Sequence, residues 1–133
     1  MLAGIQNASA QITNPVEFTT TFTFTVGNAT MPAGAYTIRP DDDNPDILQL
    51  TGKQGSVLFQ TDAARAGRPA PKTEVVFKRY GDAYILKNVW LEGSDEGAET
   101  LPQEGERHVT KHGSSATEQR IAAKKTSTTA ANR

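Results

Sequence analysis

The sequence of 133 residues contains no cysteine, two histidines and no long apolar run. Without cysteine, neither disulfide bonds nor thiolate metal sites can stabilise the fold, and the redox compartment is left undetermined. No apolar stretch approaches the ~20 residues that a membrane-spanning helix needs, so we predict no membrane span. The net charge of −1 is too small to attract nucleic acid, and we predict no nucleic-acid partner.

Catalytic groups are also missing from the β-rich part of the chain. Both histidines, His108 and His112, lie towards the C-terminus, so residues 11–94 offer no imidazole base to activate a nucleophile. The carboxylates of this part fall in turns or at strand ends, without a spacing typical of glycoside hydrolysis. We therefore predict that the protein is not an enzyme and needs no cofactor.

Residues 16–26 alternate between apolar and polar side chains. Every even position except Thr20 is apolar, and every odd position is glutamate or threonine. A β-strand places successive side chains on opposite faces, whereas a helix would scatter the same apolar residues around its axis. Because this run is longer than a usual strand, we expect a bend at Thr19-Thr20-Thr21.

Strand-like patterns continue to about residue 94. Residues 35–39 follow a turn, and residues 47–61 and 74–91 each predict a hairpin. The sequence therefore predicts an all-β fold, an antiparallel β-sandwich or small barrel of six to seven strands, with the β domain at residues 11–94. The predicted inward-facing residues are Val16, Phe18, Phe22, Phe24, Val26, Tyr36, Ile38, Leu48, Leu50, Leu58, Val75, Phe77, Leu86 and Trp90.

Residues 95–133 are predicted to form a disordered, flexible polar tail. The large apolar side chains there are Leu101, Val109 and Ile121. These are too few to offset the entropy of ordering the segment. A capping-box pattern at residues 115–118 predicts a transient helix over residues 119–125.

Residues 1–10 end in Ala8-Ser9-Ala10, the A-x-A pattern of a signal-peptide cleavage site. The charged leader and the long apolar segment of a signal peptide are missing. We interpret residues 1–10 as a signal-peptide remnant, with a disordered arm as the alternative. The first interpretation predicts an extracellular or periplasmic protein.

Two groups of side chains are candidate metal ligands. Asp41, Asp42, Asp43 and Asp46 offer the oxygen atoms that Ca²⁺ prefers, but their spacing does not match an EF-hand, and a solvated turn is the favoured interpretation. His108 and His112 have the four-residue spacing of a zinc-binding pair. Both lie in the predicted tail, where an ordinary polar segment is favoured.

Aromatic side chains form the other candidate site. Tyr36, Tyr80, Tyr84 and Trp90 could present a platform for a sugar or another small ligand, because a ring combines apolar area with a polar edge. Packing of these rings in the core is the favoured alternative. Arg79 could pair with an acidic loop or stack on a ring, but a plain exposed strand residue is the favoured interpretation.

Two ordered blocks carry a family resemblance. The first reads Phe22-x-Phe24-x-Val26-Gly27 and then Pro32-Ala33-Gly34-x-Tyr36-x-Ile38. The second reads Phe77-x-Arg79-Tyr80-Gly81-x-x-Tyr84-x-Leu86-x-x-x-Trp90. Together they resemble a family of small exported bacterial β-rich proteins of unknown function, over about residues 16–93. The resemblance implies a secreted or envelope-associated β domain, and it transfers no catalytic residue.

These observations predict a non-enzymatic structural or interaction module of the cell envelope or exterior. The threonine-rich strand near the N-terminus could pair with an open sheet edge of a neighbour, so assembly by strand addition is expected. The predicted partners are a second copy of the chain or another envelope protein. The alternative is a carbohydrate or small-ligand binding module that uses Trp90, Tyr84, Tyr80 and Tyr36.

Overall fold

The computed structural model describes residues 15–44, 46–101 and 116–125. These residues form eleven strands and no helix, which confirms the all-β prediction. The strands are β1 (Val16–Thr20), β2 (Phe24–Val26), β3 (Ala29–Met31), β4 (Gly34–Pro40), β5 (Ile47–Gly52), β6 (Gly55–Arg65), β7 (Glu74–Tyr80), β8 (Ala83–Trp90), β9 (Glu96–Thr100), β10 (Thr117–Ala122) and β11 (Lys124–Lys125).

The strands belong to one large mixed sheet that is not closed. Its order is β10-β7-β8-β9-β6-β5-β4-β1-β11, and the β2–β3 hairpin joins it through a parallel pairing of β2 with β8. All pairs along the main path are antiparallel. The predicted sandwich or barrel is thus not confirmed, and the described part has eleven strands where six to seven were predicted.

The alternating N-terminal run is divided into β1 and β2. Burial alternates along both strands as the pattern predicts, and the break falls at residues 21–23, where the Thr20 hydroxyl donates to the Phe22 carbonyl at 3.0 Å. A bend was predicted one or two residues earlier. After the bend the chain changes neighbours, because β1 pairs with β4 and β2 pairs with β3 and β8.

Aromatic rings from four strands meet in the core. Phe24 lies with its ring centroid 5.1 Å from that of Phe77 and 5.2 Å from that of Tyr36, both edge to face. Phe18 stacks on Tyr36 at 5.9 Å. Edge-to-face and offset contacts at these distances are the arrangements that aromatic rings prefer. Because these rings come from distant positions along the sheet, the sheet must curve around them.

The prediction of which residue of β6 faces inward is wrong. Leu58 was predicted to face inward but is 56% exposed, whereas Phe59 is buried. Residues that lie opposite one another on paired strands share a face, and the buried Leu48 lies opposite Phe59. The choice of Leu48 and Leu50 as inward residues of β5 is confirmed.

A β-bulge explains why a second prediction, that Trp90 faces inward, is wrong. The pairing of β7 with β8 goes from Phe77 opposite Leu86 to Val76 opposite Asn88, so Lys87 is an extra residue on β8. An extra residue reverses the faces beyond it. Leu86 and Val89 therefore both enter the core, and Trp90 is half-buried outside it instead of facing inward.

The predicted tail contributes three strands. Residues 96–100 form β9 between β6 and β8, and residues 117–125 form β10 and β11 in place of the predicted disorder and transient helix. These strands are held in place by main-chain pairing and by small buried residues such as Ala98. A count of large apolar side chains does not include these contributions. His108, His112 and residues 1–10 lie outside the described residues.

Candidate interaction site

Residues 117–125, which we name the terminal segment, contact both ends of the sheet. Its first part, β10, pairs with β7 from Thr117 opposite Arg79 to Ala122 opposite Glu74. The Ala123 amide then donates to the Thr73 carbonyl at 3.0 Å, and β11 pairs with the start of β1. One short stretch of chain therefore supplies the strand at each end of the sheet path.

An ion pair anchors the terminal segment to β7. The Arg120 guanidinium donates from Nη1 to Glu74 Oε2 and from Nη2 to Glu118 Oε1, the latter at 2.9 Å. Glu74 is only 5% exposed, so Arg120 compensates a carboxylate that has lost most of its water. Burial lowers the pKa of Arg120, but hydrogen bonds and charge attraction from Glu74 and Glu118 outweigh that effect and raise the pKa above its usual value.

The terminal segment buries little apolar surface of its own. Ile121 and Ala123 are half-buried and pack against the core, while most of its other side chains are exposed. Hydrophobic burial therefore contributes little here, and backbone hydrogen bonds and the Arg120–Glu74 pair must hold the segment in place.

Substitution of Arg120 by alanine tests this anchoring. We expect a loss of about 1–2 kcal/mol in the free energy of unfolding, because Glu74 would remain buried without its partner while Arg120 itself is half exposed. Glu74→Gln should cost less, since it removes the buried charge and leaves Arg120 free to reach water. Urea denaturation of both variants measures the difference. A larger loss for Glu74→Gln than for Arg120→Ala would contradict the anchoring role.

A groove lies along β1 and β4, next to the end of β10. On the side away from β4, β1 pairs only at Val16 and Glu17, and no described strand pairs with its residues 18–20 there. Likewise, β7 is the only described strand that pairs with β10. Beside these two edges lies a groove of about 690 Å³, which we name the seam, lined mainly by small and polar residues including Glu17, Thr19, Thr37, Ala122, Ala123 and Lys124.

The predicted aromatic platform is not assembled as one surface. Tyr36 is 5% exposed, its hydroxyl donates to the Pro32 carbonyl, and burial raises its pKa. Tyr84 stacks on Phe22 with ring centroids 3.9 Å apart, and the Arg79 guanidinium lies over the Tyr84 ring at 5.4 Å. These two tyrosines are therefore occupied by contacts within the fold, while Arg79 itself is exposed on β7.

Trp90 lies at the far end of β8 from Tyr84. The two are six positions apart along the strand, which corresponds to roughly 20 Å of extended chain. Tyr80 is half-buried at the end of β7, opposite Ala83. The four aromatic candidates thus lie in three separate places. Tyr36 is in the core, Tyr80 and Tyr84 are at one end of the β7–β8 hairpin, and Trp90 is at the other end.

The acidic run forms a loop between β4 and β5 that its own side chains organise. Asp41 Oδ2 accepts a hydrogen bond from the Asp43 amide at 3.2 Å, and Asn44 Oδ1 accepts one from the Asp46 amide at 3.0 Å. Such side-chain to backbone bonds are typical of Asx turns. Across residues 15–44, 46–101 and 116–125, no three side chains of metal-binding type converge, so a metal site at Asp41, Asp42, Asp43 and Asp46 gains no support.

Comparison with known proteins adds no assignment. No protein-family model, curated protein or solved structure matches this chain. The resemblance to exported bacterial β-rich proteins therefore stays a prediction, and the roles of residues are argued from the geometry alone. In the described ranges, no helix is long and apolar enough to cross a membrane.

The sequence did not point to Glu74 or Arg120 as functional residues. They are 46 positions apart, and neither belongs to a recognisable motif. The available signal was a glutamate at the start of a strand and directly before three apolar residues, since a charged residue in such a position needs a partner.

Proposed function

We propose that the protein is a non-enzymatic interaction module that acts outside the cytoplasm, as a secreted or envelope-associated domain. It associates with a second copy or with another envelope protein by adding an extended strand at the seam. The observation that carries this proposal is a pair of strand edges, on β1 and on β10, that no described strand covers and that lie beside one groove.

Open strand edges favour this kind of association for a general reason. Backbone amide and carbonyl groups along an edge need hydrogen-bond partners, and an extended chain supplies them in register. Most side chains that line the seam are small or polar, so the main chain of an incoming strand can approach closely. The contribution of β1 is limited to residues 18–20, because β4 already occupies its other edge.

The proposal includes a finer architecture. We propose that the sheet curls into a small barrel that is open at the seam. The contact between Phe18 on β1 and Phe77 on β7, with ring centroids 6.1 Å apart, supports this, because the two strands are far apart in the sheet order. Export outside the cytoplasm is supported by the Ala8-Ser9-Ala10 pattern and by the family resemblance.

A lysine placed in the seam tests the proposal. Thr19 is exposed on β1 and lines the groove, so Thr19→Lys should put a charged, flexible side chain where an added strand would lie. We expect the wild-type protein to gain mass with concentration in light scattering, and Thr19→Lys to associate about tenfold more weakly, equivalent to about 1.4 kcal/mol.

Thr23→Lys is the matched control, because Thr23 is an exposed threonine in the bend between β1 and β2 and does not line the seam. This control should associate like the wild type. A wild-type protein that stays monomeric at every concentration, or equal association of the two lysine variants, would refute self-association at the seam.

The alternative function, binding of a carbohydrate or small ligand by Trp90 and the tyrosines, gains no support from the placement of these rings. Tyr36 is in the core, Tyr84 stacks on Phe22, and Trp90 lies at the other end of β8 from Tyr84.

A further inference from the structure

We propose that the terminal segment is exchanged between two copies of the protein, so that β10 of one copy pairs with β7 of the other. This inference rests on the proposed function in one respect, which is that the protein associates through strand addition. It goes further by naming the donor strand, the acceptor edge and the partner.

The acceptor edge is the side of β7 that β10 covers. Four consecutive residues of β7, Glu74 to Phe77, are buried, so both faces of this strand are shielded from water. If β10 leaves, β7 becomes an exposed edge strand with unsatisfied backbone groups and two shielded faces. Such an edge is a strong template for pairing with another strand.

Glu74 determines which strand fits this edge. Its buried carboxylate receives a hydrogen bond from Arg120 of the terminal segment, and among the described residues no other basic side chain forms an ion pair with it. An arbitrary extended peptide would satisfy the backbone of β7 and leave this charge uncompensated. A second copy supplies an arginine in the correct register.

The chain length allows the exchange. Residues 102–115 connect the last described residue after β9 to the residue before β10, and fourteen residues can span up to about 46 Å when extended. Exchange of an identical element creates few new contacts and keeps the existing ones, so it is a low-cost route to a dimer.

The absence of cysteine gives a direct test. Lys78 and Glu118 lie opposite one another on β7 and β10. Directly opposed residues of antiparallel strands have Cα atoms about 4.5–5.5 Å apart, within the range that a disulfide bridges. A Lys78→Cys chain and a Glu118→Cys chain of different tag length are mixed at high concentration, incubated and oxidised. Non-reducing electrophoresis and mass spectrometry then quantify the mixed disulfide.

We expect at least about tenfold more mixed dimer than in a control mixture of Glu118→Cys with Lys53→Cys, an exposed residue of the turn between β5 and β6. Yields equal to this control would overturn the exchange. A chain with both Lys78→Cys and Glu118→Cys, oxidised when dilute, locks the segment in its own molecule and should no longer exchange it with a second copy.

The locked chain separates the two proposals. Association that persists in the locked chain and still responds to Thr19→Lys would overturn exchange and leave the proposed function standing. Association that is lost on locking and returns on reduction would support exchange and overturn self-association at the seam. A protein that is monomeric in every form would refute both exchange and self-association at the seam.

Discussion

Replacement of Phe77 by alanine should lower the free energy of unfolding by about 3–5 kcal/mol, because it removes a fully buried ring and leaves a cavity. Phe77 is 0% exposed, and its ring contacts those of Phe18, Phe22 and Phe24 at centroid distances of 6.1, 5.1 and 5.1 Å. These partners come from both sides of the bend in the N-terminal run. Loss of Phe77 would therefore weaken the contact between distant parts of the sheet.

Urea denaturation followed by tryptophan fluorescence measures this loss, since Trp90 is the single tryptophan of the chain. Leu58→Ala is the matched control, because Leu58 is also a large apolar strand residue but is 56% exposed. We expect its effect to be within about 0.5 kcal/mol. Similar losses for the two variants would contradict the placement of Phe77 at the centre of the core.

The contrast between Phe77 and Leu58 shows what the sequence could predict. Alternation identified the buried faces of β1, β2, β4 and β5, because a two-residue period follows directly from strand geometry. It could not fix the face of β6, where apolar residues occupy three consecutive positions, residues 57–59. Only the register with β5 decides that Phe59 faces inward.

The bulge at Lys87 was hidden for a similar reason. A bulge depends on how two strands pair, and the sequence of β8 carries no local mark of it. Continuing the alternation through Lys87 assigned Trp90 to the inner face. The structure keeps Leu86 on the inner face, as predicted, and places Val89 there in place of Trp90.

The candidate site lies almost wholly beyond what local patterns can predict. Pairing of the terminal segment with β7 joins residues more than 35 positions apart, and the segment has little apolar content. The segment is held in place by partners that are distant in sequence, of which Glu74 is the main one. Aromatic residues were selected as candidates by side-chain type, and type alone could not show that Tyr84 is covered by Phe22.

The second large effect concerns Gly97, which lies opposite Trp90 on β9. A Cβ atom at Gly97 would lie 2.4 Å from the Val89 carbonyl oxygen and 2.6 Å from the Trp90 ring. We expect Gly97→Ala to lower the free energy of unfolding by about 2–3 kcal/mol, because the backbone near Val89 must move. Intrinsic preference acts in the opposite direction, since alanine is favoured over glycine in strands by about 0.5–1 kcal/mol. A loss of stability in Gly97→Ala would therefore show that the steric clash outweighs the intrinsic preference for alanine, and a gain would show the reverse.

The double variant Gly97→Ala with Trp90→Leu separates the two clashes. Removal of the indole relieves the contact with the ring but not the contact with the Val89 carbonyl. Compared with Trp90→Leu alone, Gly97→Ala should still destabilise the protein, by a smaller amount, in urea denaturation followed by circular dichroism. A neutral or stabilising Gly97→Ala would mean that the indole does not rest on this glycine. The result also bears on ligand binding, because a ring that packs against Gly97 has one side occupied by the protein and only its remaining surface open to a ligand.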